Sequence, residues 1–347
     1  MRFGVGLDGT LGLSFDDHRQ LAREAAELGY DDAWTPAGAT ARDSFHICAQ
    51  WWGATRDVRG GLLTGISVVP VPNWTATSLA AEAGTLSELT GGKFILGIGT
   101  GAIQSPEARR QFNLPEWPAV GMTRDYLVTI RRLLAGEAVD YEGKAVTLRG
   151  VKLAFKPPPT PVYLAALGPQ MLRLAGEAAD GLLPNWASPE QIAWCRERVA
   201  EGARRAGRDP ASIPIVQYIR VCVDEDEDRA RRAFAKAVMP YAMARRGQDK
   251  TLGYRGHFAR MGFDEVLTDL EARRDAGASS DELADRFPPE LMRKVGYFGR
   301  AEGAAAEFKR LAVGLDTAIV RVVAARGGVE SARAAMRACR PELVHSA

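Results

Sequence analysis

Glycines at 97, 99 and 101, in the run GIGTG, remove every second side chain at the end of an apolar stretch. Alternate residues of a strand face the same way, so one face of this segment is bare backbone. Two uses fit that spacing. A flat ring could lie against the backbone, or a crowded strand could need small residues where another chain segment comes close. A second stretch, ALGPQMLRLAG at 166–176, passes from a strand end through Gly168 into a helix opened by Pro169. Proline in a first helical turn sacrifices no hydrogen bond. The free N–H groups of Leu167, Gly168, Gln170 and Met171 would then point out of the helix start, which suits an anion such as phosphate. An ordinary capped helix is the other reading. A third stretch, ISVVPVP at 66–72, ends an apolar strand at Ser67-Val68, before two spaced prolines.

These stretches need elements that hold them together. RFGVGL (2–7), YDDAW (30–34), GGLLTGISVV (60–69) and KFILGIG (93–99) read as strands. Between them, 15–29, 43–55 and 75–92 carry helical spacing, capped by Asp43 or Ser44 in the second case and stopped by paired glycines in the third. The rhythm continues with helices over 123–136, 169–179, 188–207 and 227–245, the last with an expected break at Pro240. Strands are expected at 161–167, 180–186, 213–224 and 316–323, and closing helices at 301–315 and 328–340. A hairpin fits 139–155, turning near Glu142-Gly143, and 246–300 is less regular.

Eight strands alternating with helices predict an α/β fold with a parallel sheet, specifically a (β/α)8 TIM barrel in one domain over 1–347. The hairpin near 139–155 and the segment near 246–300 would be insertions. An open doubly wound sheet is the competing reading, but the first turn, LDGTLGLS, lacks the G-x-G-x-x-G fingerprint. In a barrel, chemistry sits at the C-terminal strand ends. That selects 34–37, 67–70, 99–102 and 165–170.

Composition narrows the partners. The 347 residues hold 45 basic and 43 acidic side chains, a net +2, which argues against nucleic acid as a partner. No run of about 18 apolar residues suggests a membrane span. The start, MRFGVGLDGT, reads as a first strand rather than a signal peptide, so a cytoplasmic protein is expected. Cys48, Cys195, Cys222 and Cys339 are scattered, as are the four histidines, and neither set has the spacing of a metal site.

The run GISVVPVPNWTATSLAAEAGTLSELTGGKFILGIGTG, followed by PVYLAALGPQMLRLAGEAADGLLPNW, resembles the bacterial luciferase-like superfamily. Within it the chain is most similar to the deazaflavin branch, which includes methylenetetrahydromethanopterin reductase. The resemblance implies a (β/α)8 barrel, homodimerisation, a small-molecule substrate, and coenzyme F420 as cofactor, with FMN as the alternative. It implies that Ser67-Val68 form a cis-peptide bulge behind the ring. Gly99, Thr100 and Gly101 would flank the ring and its ribityl chain. The backbone at Ala165, Ala166, Leu167, Gly168, Pro169 and Gln170 would receive the phosphate.

The chain also departs from that branch. Where many members carry Asp-His after the second strand, this sequence reads Trp34-Thr35-Pro36-Ala37-Gly38, and the glutamate that can follow G-T-G is Ala102. An alcohol oxidation must remove a hydroxyl proton, so these losses weaken dehydrogenase readings. They favour a reductase passing hydride from reduced F420 to an organic acceptor. An FMN-dependent monooxygenase, and a non-catalytic cofactor-binding protein, are the alternatives. No catalytic residue is assigned. His46 is expected in the core or an interface, and Trp51 and Trp52 are expected to pack; Glu88 could be buried or, as helix-end carboxylates commonly are, solvated. The basic run with Arg245, Arg246, Lys250, Arg255 and Arg260 could attract an anion or be a solvated loop. Tyr218 and Arg220 alternate on one strand and could face the mouth.

Overall fold

In the computed structural model, which describes residues 1–101 and 105–347, one sheet organises the chain. Its nine strands are β1 (Arg2–Gly6), β2 (Asp32–Thr35), β3 (Leu63–Pro70), β4 (Phe94–Gly99), β7 (Val162–Ala165), β8 (Gly181–Leu183), β9 (Val216–Val223), β10 (Gly296–Gly299) and β11 (Thr317–Val322). β5 (Val139–Glu142) and β6 (Thr147–Val151) form a separate antiparallel pair. Gly143 N–H donates to the Val146 carbonyl at 2.9 Å in its turn, so the expected hairpin is present.

The large sheet runs β10-β9-β11-β1-β2-β3-β4-β7-β8, with every paired strand parallel. It curls, because β8 and β9 also meet at two isolated bridges, Leu182 to Ile215 and Asn185 to Tyr218. The strands are buried on both faces, as a helix-covered parallel sheet requires, and β4 and β9 are buried at every position. Helices cover the outside. The helix over Phe15–Glu27 begins with a Ser14/Asp17 capping box, and that over Ser44–Thr55 is capped by Asp43. Trp51 is fully buried beneath it, as packing predicted, with its ring 5.7 Å from that of His18.

Three expectations change. β10 lies inside the segment read as irregular. Its two glycines hide a four-residue strand from any periodicity argument, and Gly296 is needed because a Cβ there would stand 2.4 Å from Phe234 and 2.7 Å from the Arg220 carbonyl. The helix at Glu227–Ala242 passes through Pro240 without breaking there. Proline so near a helix end removes a single ladder bond, and the helix ends two residues later, at Ala242. Finally, the irregular segment has its own helices, among them Asp264–Asp275, Ser280–Arg286 and Pro289–Val295, around a second apolar cluster built on Phe234, Phe258 and Phe287.

Candidate active site at the strand ends

The register of β3 against β4 jumps between Ile66 and Val69, and the Ser67–Val68 peptide within that bulge is cis. The neighbouring glycines make room for it. A Cβ on Gly97 would stand 2.2 Å from the Ile66 carbonyl oxygen and 2.5 Å from Leu183. On Gly99 it would stand 2.8 Å from Val68 Cγ2, and on Gly101 2.6 Å from Pro70 Cβ. Gly101 also has φ +58°, which disfavours side chains. All three glycines therefore admit the chain's own β3. Gly99 is buried, Thr100 half-buried and Gly101 exposed, so only the end of the run faces outward.

The later stretch forms the opposite rim. The helix Pro169–Ala178 starts after Gly168, which has extended backbone and no side-chain cap. A Cβ on Gly168 would meet nothing within 4 Å, so the helix start opens into space. Pro169 and Gln170 are exposed, Ala165, Leu167 and Gly168 half-buried, and Ala166 buried. Arg260 joins them: its Nη2 donates to the Leu167 carbonyl at 3.2 Å, and its guanidinium lies 5.7 Å from the Trp194 ring centre. A helix start with unoccupied amides and a guanidinium alongside is an anion-binding arrangement.

The rest of the basic run divides. Arg255 is fully buried, donating to Glu271 at 2.7 Å and Asp264 at 2.9 Å. Lys250 pairs with Glu271 and Arg246 with Asp275. These three hold the segment together, while Arg260 alone of the pairings just described reaches the strand ends.

Between the rims lies a polar floor that the sequence only partly signalled. Tyr218 is buried, and burial pushes its phenol well up. Arg220 stacks on Trp186, with its guanidinium 3.8 Å from the ring centre, and donates to Asn185, which donates to Tyr254 at 2.7 Å. Arg321 of β11 donates to Asp8, just beyond β1, and lies 4.7 Å from the Tyr218 ring centre. Asp8 also accepts from Thr10 N–H at 2.8 Å. The expectation that Tyr218 and Arg220 face the mouth thus gains two members, Asp8 and Arg321. The sequence signals them only as one charge just past an apolar strand, Asp8, and one inside another, Arg321. His46, by contrast, is not a core residue: its side chain is 81% exposed and its Nδ1 lies 2.6 Å from Asp43. It takes the polar face of its helix beside the capping aspartate. Of its two readings Glu88 takes the solvated one, being exposed, and the position of Ala102 lies outside the described residues.

This geometry can be set beside known proteins. The family model for luciferase-like monooxygenases matches residues 1–318. The chain belongs to that family. Among its relatives, the 5,10-methylenetetrahydromethanopterin reductase of Archaeoglobus fulgidus is 30% identical over 314 residues, 87% of this chain and 91% of that protein. The enzyme of the same name from Methanolobus tindarius is 32% identical over 223 residues, which are 64% of this chain and just under two thirds (66%) of the relative. The solved structure of a coenzyme F420 dependent tetrahydromethanopterin reductase from Methanopyrus kandleri superposes with TM-score 0.80 over 99% of both chains at 20% identity. This luciferase-like protein thus has the family's parallel curled α/β sheet and is an enzyme by kinship. Among the described residues no helix is long and apolar enough to cross a membrane.

Proposed function

We propose that this luciferase-like protein is a coenzyme F420-dependent oxidoreductase, working as a reductase on a small organic acceptor. The observation that carries the reading is its kinship, across 87% of its length, with a methylenetetrahydromethanopterin reductase. We read the curled sheet as a closed (β/α)8 barrel, with the β8–β9 bridges as the closure. The whole chain, 1–347, is then one domain with insertions near 139–155 and 246–300. Homodimerisation and a cytoplasmic location belong to the same reading.

The residues present fit such a cofactor. The open helix start at Gly168–Gln170, with Arg260 beside Leu167, suits its phosphate. The Ser67–Val68 bulge, backed by Gly99, would offer a wall for the ring, with Gly99, Thr100 and Gly101 flanking the ring and its ribityl chain and the backbone at Ala165–Gln170 receiving the phosphate. When bound, F420 supplies the hydride from the ring carbon that replaces a flavin nitrogen.

The protein's part is position and exclusion of water. Tyr218 and Arg321 close the floor beneath the mouth. Asp8 is the carboxylate at this floor, and it is held by Arg321 and Thr10. A carboxylate so engaged is a poor base for an alcohol proton, which supports reduction over oxidation. Reduced FMN with oxygen is the competing chemistry, kept because the family is described as monooxygenases.

The test is cofactor choice. Purified protein is titrated with F420 and, separately, with FMN, following fluorescence. Micromolar F420 binding with much weaker FMN binding is expected. The reverse preference, with oxygen uptake on adding reduced FMN, overturns the proposal.

A further inference from the structure

The floor of the mouth contains more buried positive charge than it neutralises. Arg220 and Arg321 are register partners on β9 and β11. Both are more than nine-tenths buried, at 5% and 8% exposure. They stand over one ring: the guanidinium of Arg321 lies 4.7 Å, and that of Arg220 5.7 Å, from the Tyr218 ring centre. Gly6 makes this possible, because a Cβ there would stand 2.9 Å from Tyr218 and 3.0 Å from Arg321.

Among the described residues, Asp8 is the one carboxylate bonded to either arginine. Arg220 has an amide, Asn185, and aromatic faces instead. One charge of the two is therefore uncompensated. A buried donor there also has no acceptor: Arg321 Nη1. Buried charges are ordinarily paired and buried donors ordinarily bonded, because leaving either unmet costs free energy. A site with a spare positive charge and a spare guanidinium donor is complementary to an oxyanion, and a guanidinium binds a carboxylate through two parallel N–H bonds.

We propose that Arg321 and Arg220, flanking Tyr218, form a subsite for the carboxylate of the substrate. The hydride acceptor is then a carboxylate-bearing organic molecule, anchored at the floor while its reducible carbon faces the cofactor. Asp8 is a positioning residue, holding Arg321 on its inner side so that Nη1 is left for the ligand. The inference takes its location from the proposed function and adds the substrate class. A carboxylate of the cofactor's own acidic tail is the other source of the same chemistry, and the test separates them.

The probe is benzoate, with benzamide as its uncharged isostere. Both are titrated by calorimetry, at constant ionic strength, into the F420-loaded protein and into the apoprotein. Benzoate is expected to bind both forms at least about tenfold more tightly than benzamide. Arg321→Met is expected to weaken benzoate at least about tenfold, and to leave F420 affinity within about twofold. Arg321→Lys should recover part of the loss. Should Arg321→Met fail to give a folded circular dichroism spectrum, Arg220→Met carries the same expectation. Equal binding of benzoate and benzamide, or no binding of either, overturns the subsite. A loss of F420 affinity matching the loss of benzoate overturns it too, assigning the anion to the cofactor. If the protein takes up no F420, the proposed function falls, while the apoprotein titration still decides the subsite.

Discussion

Val68 Cγ2 occupies the space a side chain on Gly99 would need, 2.8 Å from the point where its Cβ would stand. The bulge of β3 and the end of β4 are therefore one packed unit, and the glycine is the condition for it. Ala165 Cβ lies on the other side at 3.3 Å, so a methyl group has no free direction. Gly99→Ala is expected to shift the bulge by tenths of an ångström and weaken F420 binding about tenfold or more, read by fluorescence titration. Unchanged affinity would remove the bulge from the cofactor wall.

Gly97 answers to a different constraint. Its missing side chain is replaced by the Ile66 carbonyl oxygen, a backbone atom that cannot rotate away. Gly97→Ala should destabilise the fold by about 1–3 kcal/mol or more, the range for overpacked cores. Denaturant unfolding checks this.

Arg260 distinguishes the phosphate from the ring. Arg260→Ala should weaken F420 at least about fivefold, yet leave binding of the phosphate-free deazaflavin riboside unchanged. Equal losses for both ligands would place Arg260 elsewhere in the site.

Arg255 and Glu271 test the reading of the basic run as internal support. Both side chains are nearly inaccessible and lie 2.7 Å apart. Removing Arg255 takes one of two cations from the buried Glu271, leaving Lys250 as its remaining charged partner, and opens a void where the guanidinium packed. Arg255→Met should therefore lower the unfolding midpoint sharply. Cofactor affinity measured well below that midpoint should change little.

Asp32 gives the pH dependence. It sits at the N-terminal end of β2 beside Arg2, and burial raises its carboxyl to about 7. The folded state thus holds this proton more tightly than the unfolded chain, whose carboxyl titrates near 4. Its contribution is most favourable below about pH 4 and falls as pH rises towards 7. Asp32→Asn removes that loss. Relative to the wild type, the variant should gain stability progressively as pH rises from about 4 towards 7. Melting curves across that range decide it; a constant difference contradicts the assignment.

The alternation of apolar runs with amphipathic stretches was legible along the chain, because strand and helix periods are local properties. So were the hairpin at 139–155, the cap at Asp43 and the helix start at Pro169. A few residues of each are enough to set backbone geometry. What lay beyond reach were contacts made by distant segments. Asp8 meets Arg321 across 313 positions, and each by itself is an ordinary surface-type charge. Arg255 and Arg260 are five residues apart in the same basic run, yet one is locked against Glu271 and the other stands at the Leu167 carbonyl. Composition cannot separate them, since burial and pairing are decided by which elements the sheet brings together. The spacing of the GIGTG glycines was visible, but not what fills the space they leave. That space belongs to β3, and only the register between two strands could assign it.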